Sequence, residues 1–157
     1  MKNIGIIGVG NIGSSLARLI IRNGYGNKLS LSDNTKEPWL ISNEKNIKTS
    51  DILFIAVKPN DMADVLKDIR KHSDHEDKLI ISTAASVPIS YMEKQLESEN
   101  YPIVRIMPNY PINIGAGVIT YYANNNVHQN NISALSNLLD GPYLYPVKNE
   151  GQTCRSF

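Results

Sequence analysis

A doubly wound α/β domain built on a mostly parallel sheet is the fold class this sequence predicts, on three observations. Short apolar runs alternate with stretches of helical apolar spacing along nearly the whole chain. Runs such as 4–7, 52–57 and 79–82 are apolar at almost every position, as strands covered on both faces must be. The first run ends in Gly8-x-Gly10-x-x-Gly13 and passes directly into a helical pattern, the context in which that glycine spacing serves dinucleotide binding.

Taken in order, residues 4–7 form the first strand. Ile12, Leu16, Leu19 and Ile20 recur at helical spacing, so a helix over 11–22 is expected, stopping at Asn23-Gly24. A second strand covers 28–32. Pro38 interrupts the segment that follows, and only a short helix or an irregular loop fits before Asp51. Trp39 is expected to plug the core over the sheet edge. The strand at 52–57 leads to Pro59, which suits a helix start, with Asn60 or Asp61 as cap. Met62, Val65, Leu66 and Ile69 then make an apolar stripe, and Arg70-Lys71-His72 place positive charge at the C-terminal end of that helix. Strands at 79–82 and 103–107 flank a helix over 88–96. A strand at 118–122, a turn at Asn124-Asn125-Asn126, a helix carrying Ile132, Leu135, Leu138 and Leu139, and an edge strand at 143–147 complete the pattern. The domain is therefore expected over 1–148, a single Rossmann-type unit, with an irregular tail over 149–157.

Each glycine has a distinct task in the motif. Gly8 permits the turn, Gly10 leaves the backbone bare for a pyrophosphate, and Gly13 lets the helix lie close to the strand. The helix N-terminus offers N–H groups and the positive end of its dipole. Asp33 closes the second strand, where an acidic residue accepts hydrogen bonds from adenosine ribose hydroxyls; an ordinary turn role before Asn34 is the plainer reading. Such sheets bind ligands beyond the carboxyl ends of their strands. The glycine loop, Asp33, Val57-Lys58-Pro59, Thr83-Ala84-Ala85 and Pro108-Asn109 all fall at such ends, so one shared crevice is expected.

A length of 157 residues and a hydrophobic fraction of 41% suit one globular domain with a real core. The net charge of +1, with both signs mixed along the chain, points to neither nucleic acid nor an anionic membrane as partner. Cys154 is the one cysteine, so no internal disulfide forms. The chain enters its first strand without a leader pattern and holds no apolar run of spanning length, and a cytoplasmic location is expected. His72, His75 and His128 lie in polar surroundings and read as surface residues, and no spacing suggests a metal.

Four stretches carry a resemblance. They are 7–17 with its glycines, 51–59 ending in Ala56-Val57-Lys58-Pro59, 81–85 ending in Thr83-Ala84-Ala85, and 104–118 with Met107-Pro108-Asn109-Tyr110-Pro111 and Gly115-Ala116-Gly117. In order and spacing the chain resembles the N-terminal half of the pyrroline-5-carboxylate reductase family. The resemblance implies an oxidoreductase that passes hydride from NADP or NAD in reduced form to the C=N carbon of 1-pyrroline-5-carboxylate, giving L-proline. It also implies that Gly8 to Gly13 carry the pyrophosphate, that Val57, Lys58 and Pro59 line the nicotinamide side, and that Ala84 and Ala85 admit the nicotinamide ribose. The expected cofactor-binding set is Gly8, Val9, Gly10, Asn11, Ile12, Gly13, Asp33, Asn34, Ala56, Val57, Lys58, Pro59, Thr83, Ala84, Ala85 and Asn109. Lys58 and Asn109 are the candidates for a part in the chemistry. From the residues alone, Lys58 also suits a solvated position before a helix, and Asn109 a turn between prolines.

The family continues into a helical domain that makes a dimer and completes the substrate site, and that domain is expected to be absent here or supplied by another chain. Ser86 stands where the family usually has glycine, and Tyr110 where threonine is usual. Asp33 favours NAD over NADP; Asn34 and Lys36 soften that, and no arginine is placed for a 2′-phosphate. A module that binds the dinucleotide without catalysis is the alternative reading.

Overall fold

Seven strands pair into one sheet in the order β2-β1-β3-β4-β5-β6-β7. The computed structural model describes residues 2–35 and 37–154, so Lys36 and the last three residues of the tail lie outside the described residues. The strands are β1 Ile4–Ile7, β2 Leu29–Ser32, β3 Ile52–Ile55, β4 Leu79–Ser82, β5 Ile103–Pro108, β6 Val118–Ala123 and β7 Tyr143–Pro146. The first five run parallel, β6 is antiparallel to β5, and β7 is parallel to β6. The Rossmann-type reading is correct, with an antiparallel extension at one side.

Among the described residues, five α-helices cover the sheet: α1 Asn11–Ile20, α2 Asn43–Thr49, α3 Met62–His72, α4 Ile89–Leu96 and α5 Gln129–Leu138. The alternation of side chains along each strand divides the core in two. Ile4, Ile6, Phe54, Ile81, Val104 and Ile106 face α1 and α5 in one apolar cluster. Ile7, Leu53, Ile55, Ile80 and Ile103 face α2, α3 and α4 in the other. Because both faces are buried, the strands read as unbroken apolar runs in the sequence.

α2 is held to the sheet by a buried polar knot. The Asn46 side-chain amide donates to the Ile6 carbonyl at 3.0 Å and to Ser32 Oγ at 2.9 Å, while Ser50 Oγ donates to Asn46 Oδ1 at 3.1 Å. Gly5 makes room for it, since a Cβ there would stand 2.3 Å from Asn46 Oδ1. Ser42 caps the helix, accepting from the Lys45 N–H.

Several expectations are corrected. Trp39 is 59% exposed and plugs no core; the buried apolar residue of this connection is Ile47 from α2. Ile12 is also exposed, because the first turn of α1 projects beyond the sheet end. No side chain caps α3: a 3-10 turn, Pro59–Asp61, leads in from Lys58, and Asp61 makes no capping bond. His128 has a structural task, forming with Asn131 a reciprocal capping box at the start of α5.

The tail holds more order than its pattern suggested. A 3-10 turn, Glu150–Cys154, docks where β5 and α4 meet. Glu150 Oε1 accepts from the Ile89 N–H at 2.6 Å and from Arg105 at 3.0 Å. Arg105 is buried on β5, and its pairing with Glu150 joins the far end of the chain to the middle of the sheet. One turn of helix has no periodicity, so nothing in the sequence announced it.

Candidate dinucleotide site

Strand register sets the site. Ile7 pairs with Ser32 on one side and Ile55 on the other, and Ile55 pairs with Ser82. The residues that follow, Gly8, Asp33, Ala56 and Thr83, therefore emerge side by side at one rim. The chain passes from β1 to β2 on one side and returns to β3 on the other, so the order reverses at β1, the place where open α/β sheets bind ligands.

The glycine turn is built as its spacing requires. Gly8 holds φ at +97°, and its N–H donates to the Ser32 carbonyl at 2.8 Å. A Cβ at Gly13 would stand 1.9 Å from the Gly8 carbonyl oxygen, so α1 rests directly on the turn. A Cβ at Gly10 would meet nothing within 4 Å; there the bare backbone faces open space. Gly10 is also the N-cap of α1, and neither a side-chain cap nor an acidic first-turn residue occupies that helix end. The positive end of the helix is thus left available for an anion.

Asp33 fastens this loop. Its Oδ2 accepts from the Val9 N–H at 2.6 Å and its Oδ1 from the Thr35 N–H at 3.1 Å. Each oxygen keeps capacity for a second donor, so bracing the loop and accepting from a ribose are compatible.

Two cavities flank the glycine loop, and Gly10 lines both. The first, about 320 Å³, lies over the ends of β2, β1 and β3 and brings together Gly8, Asp33, Asn34, Ala56, Val57 and Lys58. The second, about 550 Å³, lies between α1 and the end of β5 and is lined by Val9, Asn11, Ile12, Ser14, Pro108 and Asn109 among others.

The two candidates for the chemistry are separated. Lys58 is exposed and lines the first cavity, as Asp33 does and Asn109 does not. Asn109 lies in the second, and its Oδ1 accepts from the Val118 N–H at 3.1 Å, the turn-shaping role its residue type allows. Thr83 and Ala84 are buried, Ala85 is exposed, and none of the three lines either cavity. The Ala84 carbonyl accepts instead from Arg105. Ser86 holds φ at +61°, the left-handed conformation that favours glycine. Pro59 is exposed at the head of its 3-10 turn.

Reasoning from the sequence missed Asp61, Asp64 and Asp68, which line the first cavity, and Arg18, which lines the second. The signal was present. Spacings of three and four align Asp61, at the N-cap, with Asp64 and Asp68 on one face of α3, and Arg18 follows Ser14 by one helical turn. Among the described residues, no group of three or more histidine, cysteine, aspartate or glutamate side chains could hold a metal ion. None of the described helices is long and apolar enough to cross a membrane.

Comparison with known proteins gives one consistent picture. Residues 3–86 match the protein family described as NADP oxidoreductase, coenzyme F420-dependent. The pyrroline-5-carboxylate reductase of Aquifex aeolicus is 30% identical over 146 residues, covering 87% of this chain and 53% of that protein. That of Pasteurella multocida is 30% identical over 141 residues, covering 80% and 50%. The solved pyrroline carboxylate reductase of Plasmodium falciparum, with NADP bound, superposes with a TM-score of 0.87 at 26% identity, over 96% of this chain and 59% of its own. The chain spans about half the length of the curated relatives it matches.

Proposed function

From the premise that this chain belongs to the family of NADP oxidoreductases described as coenzyme F420-dependent, and matches the N-terminal part of pyrroline-5-carboxylate reductases, we propose that it binds NAD(P)H for the reduction of 1-pyrroline-5-carboxylate to L-proline. The observation that carries the reading is Gly10. It is the common wall of two cavities, bears no side chain, and caps a helix whose N-terminus is otherwise uncapped. A pyrophosphate laid across it leaves one half of the cofactor in each cavity.

The residues present fit such a group. Gly8 and Gly13 close the turn, the first N–H groups of α1 face the phosphates, and Asp33 sits at the end of β2 for the adenosine ribose. The adenosine half then belongs over β2, β1 and β3, and the nicotinamide half over α1 and the end of β5. When bound, the reduced nicotinamide supplies the hydride. The chain's own part is to hold and orient that ring, with Ile12 and Pro108 giving the second cavity apolar walls and Asn109 shaping its floor. A small-molecule substrate would enter there, and a helical domain from the same or another chain would complete its site.

The separation of Lys58 from Asn109 favours, as a second reading, a module that binds the dinucleotide without turnover. Fluorescence titration with NADH and NADPH, followed by assay with 1-pyrroline-5-carboxylate, tests both. Binding with proline formation supports the reductase. Binding alone supports the module. If neither nucleotide binds, both readings fail.

A further inference from the structure

Resting on the dinucleotide reading above, we infer that an acidic wall along α3 makes this site a selector for NAD(H) against NADP(H). Asp61, Asp64 and Asp68 face the first cavity together with Asp33. That cavity lies over the end of β2, where the adenosine ribose of a bound dinucleotide belongs. A 2′-phosphate there would bring close to two further negative charges among four carboxylates.

Relief is scarce. Asp33 cannot swing away without releasing the Val9 and Thr35 N–H groups that it holds. Among the described residues, Lys58 is the ammonium lining the same cavity, while Lys36, three positions after Asp33, lies outside them. Lys67 lies 3.9 Å from Asp64, and both side chains are largely exposed, so water and salt screen the lysine and the Asp64 carboxylate alike. The neutral Asn34 follows Asp33 where an arginine would receive a phosphate. A ribose with both hydroxyls free suits the wall, because hydroxyls donate and carboxylates accept. The contrast is with the Plasmodium falciparum neighbour, whose structure holds NADP.

The test is the ratio of NADPH to NADH dissociation constants for the full chain, measured by nucleotide fluorescence at low and high salt. At low salt NADH is expected to bind at least about tenfold more tightly, and the gap should narrow as salt screens the carboxylates. The double substitution D64N/D68N should narrow it at low salt, and Asn34→Arg should tighten NADPH binding. Equal affinities at low salt, tighter NADPH binding, or a ratio indifferent to both salt and D64N/D68N would overturn the preference alone. Failure to bind either nucleotide would overturn the dinucleotide reading and the preference with it.

Discussion

Gly10 and Gly13 stand three residues apart and answer opposite demands. At Gly13 there is no space: its Cβ would lie 1.9 Å from a backbone oxygen. At Gly10 space is plentiful, and only a ligand would object to a side chain. Gly13→Ala should therefore cost about 3 kcal/mol of stability, as overpacking against a backbone atom does. Gly10→Ala, at an ordinary φ of −67°, should lower the thermal midpoint far less than Gly13→Ala, by no more than the small cost of alanine at an N-cap, while weakening NADH binding at least about tenfold. Thermal melts and nucleotide titrations of the two variants check this, and equal loss of stability in both would contradict it. The glycine spacing was legible in the sequence because each glycine has a conformational or steric cause. Which residues would stand opposite was not. Asp33 spends one hydrogen bond on Val9 because β2 lies beside β1, a fact about pairing rather than about local spacing.

Among the elements, α2 shows how a short helix is fixed by polar groups rather than by an apolar stripe. Of its seven residues, Asn46 and Ile47 are buried. Asn46→Ala would leave the Ile6 carbonyl and Ser32 Oγ without their partner, and should cost about 2–3 kcal/mol, measured by urea denaturation with the m-value unchanged. An unaltered midpoint would mean that water replaces the amide. This is also where the sequence was least readable. Trp39 carries the larger apolar side chain of the region yet lies outside, and a buried asparagine has no hydrophobic signature. α3 was the reverse case. Its stripe of Met62, Val65, Leu66 and Ile69 is buried throughout, because a helix of three turns that covers a flat sheet must keep one face apolar. Its acidic face was equally written in the spacing, but its meaning depended on what lay opposite.

At the scale of the whole molecule, the chain's far end is sewn into its centre. Glu150 reaches the start of α4 and the buried Arg105 at once. Glu150→Ala removes an acceptor from the Ile89 N–H and an anion from Arg105, and should cost about 2 kcal/mol. Glu150→Gln should cost less, since its amide oxygen still accepts from Ile89. Chemical denaturation of the pair gives the comparison, and equal costs would show that charge alone matters. The sequence by itself determined the parallel sheet, its two covered faces, the glycine turn and the rim at which that turn stands. Those follow from periodicity and backbone conformation, which are local and therefore written in consecutive residues. Only the tertiary structure decided that two cavities flank the glycine loop, that Lys58 and Asn109 line different ones, that three aspartates line the same cavity as Asp33, and that the tail docks on β5. Each of those depends on which distant strands become neighbours and in what register, a choice made by packing both faces of the sheet at once.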